Sequence, residues 1–259
     1  MRHLFLLLAG LLLCVQSAQA ADADNLMEAK RIRIGVCLAA EPVGFRDTNG
    51  QPRGYDVDVA TLLAESLGAE LELVETTVPT RIPDLLGGQF DVIGCNLTAT
   101  PERGRSVDLS FPYLRTGLKL IVRRDSGVAG FDDLGAGKRI AVGRGTTGER
   151  LAEERAPKAE LVYITSPGDA LLLMRQGRAD AYVNDSLIVD YMAKANPDPV
   201  VVLDGIYTVD AIAFGVRKGN PEFLRWLDLF ASTYVSSGQY ARTYAKWWGG
   251  APPPLQPIW

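Results

Sequence analysis

Residues 31–38 read Arg-Ile-Arg-Ile-Gly-Val-Cys-Leu, and residues 57–67 read Val-Asp-Val-Ala-Thr-Leu-Leu-Ala-Glu-Ser-Leu. The first stretch is short and rich in β-branched residues, the composition of a buried strand. The second repeats apolar residues at Val59, Leu62, Leu63 and Leu67, which is helical spacing, and Gly68 is placed to end it. Leu71–Val74 reads as the next strand, completing a strand–helix–strand unit. The alternation continues outward. Ile82–Leu86 reads as a short helical segment and Phe90–Gly94 as a third strand. Further strands are predicted over Leu118–Val122, Arg139–Val142, Leu161–Ile164, Ala179–Val183 and Ile212–Arg217. Helices are predicted over Thr147–Glu154, Gly168–Gln176, Ser186–Ala195, Pro221–Ser236 and Gln239–Trp248. This rhythm predicts an α/β fold with mostly parallel sheets flanked by helices.

Two extended stretches, around Pro112–Thr116 and around Ile206–Ala213, interrupt the rhythm and lead into new strands. They fit one lobe inserted into another across a two-strand hinge. Residues 25–112 plus 213–259 would form the first lobe, and residues 117–207 the second. Periodicity alone fits a single doubly wound domain equally well.

The 259-residue chain begins MRHLFLLLAGLLLCVQSAQA, which reads as a secretory signal. Arg2 is the basic start, Leu4–Val15 the apolar core, and Ala18-Gln19-Ala20 a small-x-small cleavage site. Leu13 before Cys14 argues against a lipoprotein. Cleavage after Ala20 would leave 239 residues and shift the net charge from −4 to −5 with the loss of Arg2. His3, the single histidine, would go too, and Cys37 and Cys95 would be the only cysteines left. That composition excludes a Ser-His-Asp or Cys-His nucleophile, a His-ligated metal and a four-cysteine zinc site. The acidic balance gives no support to nucleic-acid binding. No later segment approaches a continuous apolar membrane span.

The motifs carry more than the rhythm. Gly35-Val-Cys, Pro42, Asp47-Thr-Asn-Gly50 and Gly54-Tyr-Asp-Val-Asp-Val59 come first. Arg81-Ile-Pro83, Gly88-Gln-Phe-Asp-Val92, Leu97-Thr-Ala-Thr-Pro-Glu-Arg103 and Phe111-Pro-Tyr113 follow. Then come Val142-Gly-Arg-Gly-Thr-Thr147, Gln176-Gly-Arg-Ala-Asp-Ala181, Asn184-Asp185 and Val216-Arg-Lys-Gly-Asn-Pro221. In order and spacing they resemble the family 3 bacterial solute-binding proteins, the periplasmic receptors of polar amino-acid ABC importers. The Arg-Ile-Pro segment and the Pro-rich end look most like the glutamate/aspartate-binding branch. The resemblance implies a two-lobed type II periplasmic-binding-protein fold, a monomer, no cofactor, an amino-acid ligand held between the lobes, and an ABC permease as partner.

A free amino acid is a zwitterion, so its receptor must desolvate a carboxylate and an ammonium together, which is costly unless each is paired. Arg103 suits the carboxylate because its planar fork donates two parallel hydrogen bonds. The resemblance makes it the family's carboxylate-binding arginine; a surface ion pair beside Glu102 is the plainer reading. Asp185 suits the ammonium and sits just beyond a predicted strand, at the carboxyl edge where open α/β sheets bind ligands. It would also serve as an N-cap for the helix from Ser186. Gly145-Thr146-Thr147 opens a helix whose free N–H groups would favour a carboxylate, with Thr146 also a plain cap. Asn96 and Thr98 can offer a carbonyl and a hydroxyl to the ammonium.

Arg81 is the specificity clue: in the glutamate/aspartate-like branch it would face the ligand side chain. A second basic residue of that branch is Cys37 here, and Ala39 and Ala40 stand where polar or aromatic contacts often lie. The ligand therefore stays open. Tyr234, Tyr240, Tyr244, Trp247 and Trp248 read as packing of the terminal helices rather than a sugar platform. Asp56 and Asp58 read as helix-start acids that cap the helix and pair with its dipole. Cys37 and Cys95 follow strands expected to be neighbours, which leaves a disulfide in an oxidising compartment or two packed thiols. The leading function is a non-enzymatic periplasmic receptor. The alternatives are an accessory or sensor binding protein, or a cyclohexadienyl-dehydratase-like enzyme using Glu41 or Asp185 as acid.

Overall fold

The computed structural model describes residues 25–255; the expected leader lies outside them. Two five-stranded sheets organise the chain. The first runs Glu70–Thr76, Arg31–Cys37, Val92–Ile93, Asp210–Val216, Asp108–Thr116 from edge to edge. Its first three strands are parallel, and Asp210–Val216 is antiparallel to both of its neighbours. The second runs Glu160–Ile164, Arg139–Gly143, Ala181–Asp185, Leu118–Arg123, Val200–Val202, with three parallel strands followed by two antiparallel pairings. The fold is thus α/β, as the rhythm predicts, and two-lobed, as the resemblance implies.

The crossings lie side by side. Asp108–Thr116 belongs to the first sheet and Leu118–Arg123 to the second, with Gly117 between them. The return strand pairs with the outgoing one from Asp210 opposite Thr116 onward. Only glycine fits at 117, because a Cβ there would meet the Thr208 carbonyl oxygen at 2.1 Å. The Gly117 carbonyl accepts the Ser186 N–H at 2.7 Å, and the Thr116 and Ser186 hydroxyls meet at 3.1 Å.

Helix Tyr55–Leu67 starts two residues earlier than its apolar spacing indicates. The loop before it supplies the reason: Pro42 and Val43 carbonyls accept the Tyr55 and Asp56 N–H groups, satisfying donors that a helix start leaves unpaired. Gly54 has φ 131° and lies against the Val43 carbonyl, so no side chain fits there. Strand Val92–Ile93 is shorter than expected, because the Asp91 carboxylate takes the backbone N–H and guanidinium of Arg33. A small third sheet, Ala39–Ala40, Gly44–Arg46 and Pro52–Arg53, had no periodic signal. It is closed by Asp47, whose Oδ1 accepts the Asn49 and Gln51 N–H groups at 2.9 Å each.

The main core lies between the first sheet, helix Tyr55–Leu67 and the terminal helices Pro221–Ser236 and Gln239–Trp248. Rings from Phe214 through Phe230, Tyr234, Tyr240, Tyr244 and Trp248 to Tyr55 touch in series, with centroids 4.9 to 6.2 Å apart. Such pairs add about 0.5 to 1.5 kcal/mol each beyond buried area. The terminal aromatics are therefore packing. The second sheet is covered on both faces, by Phe131 and Ala152 among others on one side and by Leu171, Met174 and Val189 on the other.

Candidate functional site

The carboxyl ends of the parallel strands in both sheets open onto one cavity of about 390 Å³. All seven expected site residues line it: Arg81, Asn96, Thr98, Arg103, Thr146, Thr147 and Asp185. Arg81, Asn96, Thr98 and Arg103 come from the side of the first sheet; Thr146, Thr147 and Asp185 come from the second.

Arg103 is buried and lies in the short helix Pro101–Gly104, entered through Thr100, whose hydroxyl accepts the Arg103 N–H. Its Nη1 donates to the Thr98 carbonyl at 2.7 Å and its Nη2 to the Gly145 carbonyl at 3.0 Å. It is no surface ion pair: neighbouring Glu102 pairs with Arg150 instead. Burial lowers its pKa, and nearby Arg150 adds to the effect.

Asp185 closes the strand Ala181–Asp185 rather than following it, and precedes helix Ser186–Ala195. Its side chain makes no cap bond. Instead Oδ2 accepts the Asn96 Nδ2–H at 2.6 Å, and buried Oδ1 has no partner among the described residues. A buried acceptor without a donor marks a place for a ligand proton donor. Burial raises the Asp185 pKa to about 6, against the opposing pull of the Asn96 bond and of Arg81 and Arg103.

Thr146 caps helix Thr147–Arg155: its hydroxyl accepts the Glu149 N–H and donates to the Gly143 carbonyl. The Gly145 N–H, expected to be free for a carboxylate, is taken by Glu149 at 2.6 Å. Arg81 is buried in the cavity lining, with Nη1 donating to the Cys95 carbonyl at 2.7 Å and the Asn96 carbonyl at 3.2 Å. Burial first, then Arg103, lowers its pKa to about 9, so it stays a cation at neutral pH. Cys37 and Cys95 are disulfide-bonded across the neighbouring strands, with Cα atoms 5.0 Å apart, and both line the cavity.

Asp56 was missed. It is 2 % exposed and caps nothing; Oδ2 accepts the Asn96 N–H at 2.7 Å and Oδ1 the Tyr113 hydroxyl at 2.9 Å. Burial raises it to about 7. Its signal was present in the spacing, since Asp56 shares a helix face with Val59, Ala60 and Leu63, the apolar stripe. Asp58 lies off that stripe and bonds Lys246 and Trp247. Arg144, stacked on Tyr163 at 3.8 Å in the cavity wall, was also not singled out. Glu41, weighed as an acid, is exposed, does not line the cavity and accepts the Tyr191 hydroxyl instead. Among the described residues no cluster of three or more His, Cys, Asp or Glu side chains could hold a metal, and no helix is long and apolar enough to cross a membrane.

Known proteins share this architecture. The ABC transporter glutamine-binding protein GlnH of Bacillus subtilis is 28 % identical over 239 residues, covering 90 % of this chain and 87 % of its own. The L-arginine-binding protein of Pseudomonas aeruginosa is 30 % identical over 253 residues, covering 93 % and 95 %. Among solved structures, the ancestral amino acid-binding protein AncCDT-1, a precursor of cyclohexadienyl dehydratase, superposes with a TM-score of 0.79 at 38 % identity, covering 84 % of this chain and 95 % of that one. The model of the bacterial extracellular solute-binding proteins, family 3, matches residues 32–250, and the chain belongs to that family.

Proposed function

We propose that this chain is an exported receptor that holds a free L-amino acid with an acidic or amide side chain between its lobes and hands it to an ABC permease. One observation carries the reading: Arg103, a buried cation in the short helix beside the first sheet, and Asp185, a buried anion at the end of a strand of the second, line one cavity. Such a pair matches the two ends of a zwitterion, and a ligand touching both lobes favours the closed form through its differential contacts. Arg81 supplies the preference. A side-chain carboxylate or amide oxygen can accept from its guanidinium, whereas a cationic side chain would meet a like charge in a desolvated site. Leader cleavage after Ala20, delivery to the periplasm and action as a monomer belong to the same proposal.

The test is a thermal-shift screen of the standard amino acids. A ligand at about 100 times its dissociation constant adds roughly 2.7 kcal/mol to the folded state. Glutamate, aspartate, glutamine or asparagine should give the largest shift. A shift with lysine or arginine alone would remove the Arg81 argument.

A dehydratase is the second reading, favoured by the raised pKa of Asp185. With a prephenate-like acid, which has no ammonium to hold the carboxylate ionised, the protonated fraction of Asp185 would serve as general acid. Formation of phenylpyruvate from prephenate would support it; the relatives described above are named as binding proteins, not enzymes.

A further inference from the structure

Asn96 is the sole non-glycine residue with positive φ among the described residues, at 43°. Left-handed backbone is uncommon for a residue with a side chain, even for asparagine, and persists where its surroundings hold it. Three bonds hold it here, to Asp56 outside the cavity lining and to Arg81 and Asp185 within it. The Asn96 N–H donates to Asp56 Oδ2 at 2.7 Å. Its carbonyl accepts from Arg81 Nη1 at 3.2 Å. Its side-chain Nδ2 donates across the cleft to Asp185 Oδ2 at 2.6 Å.

We propose that Asp56 is the positioning residue of the ammonium site: its carboxylate locks Asn96 in the left-handed turn that sets the Asn96 carbonyl on Arg81 and the Asn96 amide on Asp185. The proposal rests on the amino-acid receptor reading for its ligand, but not for its geometry. Asp56 is suited to the task because it is itself fixed. Tyr113 donates to its other oxygen at 2.9 Å, and the Tyr113 carbonyl accepts the Tyr55 hydroxyl at 3.0 Å. The helix that carries it is anchored at its first two residues by the Pro42 and Val43 carbonyls. Burial opposes ionisation of Asp56, while the Tyr113 and Asn96 bonds favour it; the ionised form takes both donors as acceptor alone, in bonds roughly twice as strong as neutral ones. Asp56 makes no side-chain cap bond at its helix start, so the carboxylate is not spent there. It does not line the cavity, so it acts through Asn96 and not on the ligand.

The test pairs Asp56→Ala with Asp56→Asn in the full chain, using two readouts. The first is backbone hydrogen exchange over residues 95–98 with no amino acid added. Asp56→Ala should speed exchange at the Asn96 amide about tenfold or more, because a hydrogen bond to a charged group is removed, while the terminal helices stay protected. Asp56→Asn, near-isosteric and still offering one acceptor oxygen, should recover most of that protection. The second readout is calorimetry with L-glutamate and L-glutamine, where Asp56→Ala should weaken binding about ten- to hundredfold and Asp56→Asn should restore most of it. Asp56→Leu, similar in size and without an acceptor, takes the place of Asp56→Ala if that variant does not fold. Unchanged exchange at Asn96, exchange raised equally throughout the lobe, or no recovery in Asp56→Asn overturns the proposal. A wild-type protein that binds neither probe overturns the choice of ligand class, and the exchange measurement still decides the role of Asp56.

Discussion

Arg103 joins the two lobes through one guanidinium: Nη1 donates to the Thr98 carbonyl at 2.7 Å and Nη2 reaches the Gly145 carbonyl of the other lobe at 3.0 Å. The side chain that faces the cavity is thus also oriented by both walls of it. A carboxylate placed there would meet a cation whose position is already set, which lowers the ordering cost of binding.

Arg103→Ala and Asp185→Ala should each abolish measurable amino-acid binding while leaving a cooperative unfolding transition. Truncating one partner of a buried charged pair costs about 2 to 5 kcal/mol, or roughly thirty- to several-thousand-fold in affinity. Calorimetry on the folded variants checks this; wild-type affinity in either would remove that residue from the site.

Arg81→Gln should separate ligand classes. It removes the cation from the cavity lining and keeps a polar side chain near the Cys95 and Asn96 carbonyls that Arg81 now serves. Affinity for L-glutamate should fall about tenfold or more relative to L-glutamine, since a charge-assisted bond is lost only with the anion. Equal losses for both probes would assign Arg81 to the support of residues 95 and 96 alone.

Acidification should move stability and affinity in opposite directions. Burial raises Asp185 from 3.8 to about 6 and Asp56 from 3.8 to about 7. Between those folded values and the unfolded ones the folded chain holds more protons, so these groups make stability fall as pH rises from about 4 to about 7. Ammonium binding needs ionised Asp185, so affinity should fall as pH drops through about 6. Melting of the protein without amino acid in Asp185→Asn should lose part of the wild-type pH slope; an unchanged slope would show that Asp185 does not titrate there.

The disulfide should close a loop spanning 58 residues. Chain entropy assigns such a loop about 4 kcal/mol, and native disulfides in small exported domains contribute about 2 to 5 kcal/mol. Cys37→Ser with Cys95→Ser should lower denaturant stability by a comparable amount. Alkylation of exported protein without reductant should add nothing by mass; two adducts would show free thiols.

The helices were legible where punctuation and spacing agree. Pro221 at a first turn behind Asn220, and Gly238 between the last two helices, mark the ends of Pro221–Ser236 and Gln239–Trp248 as the structure has them. The sheet at 39–53 was not legible, because strands of two or three residues show no period and the Asp47 side chain sets their pairing. The seven candidate residues, all of which line the cavity, were singled out by motif order and by the rule that ligands gather at the carboxyl ends of parallel strands. Their partners were not. Asn96 and Asp185 lie 89 positions apart, and no local pattern tells which groups meet when two sheets face each other. Asp56 was legible in principle, as an acid on an apolar stripe, and its partners became visible only in three dimensions.

The central claim is that the cleft reads both ends of a free amino acid. One calorimetric series tests it: the amino acid that gives the largest thermal shift, set against its α-keto acid and its decarboxylated amine. The account predicts equimolar binding of the intact L-amino acid and a loss of about thirtyfold or more with either analogue, because each leaves Asp185 or Arg103 without its partner. An α-keto acid that binds as tightly as the amino acid would contradict it.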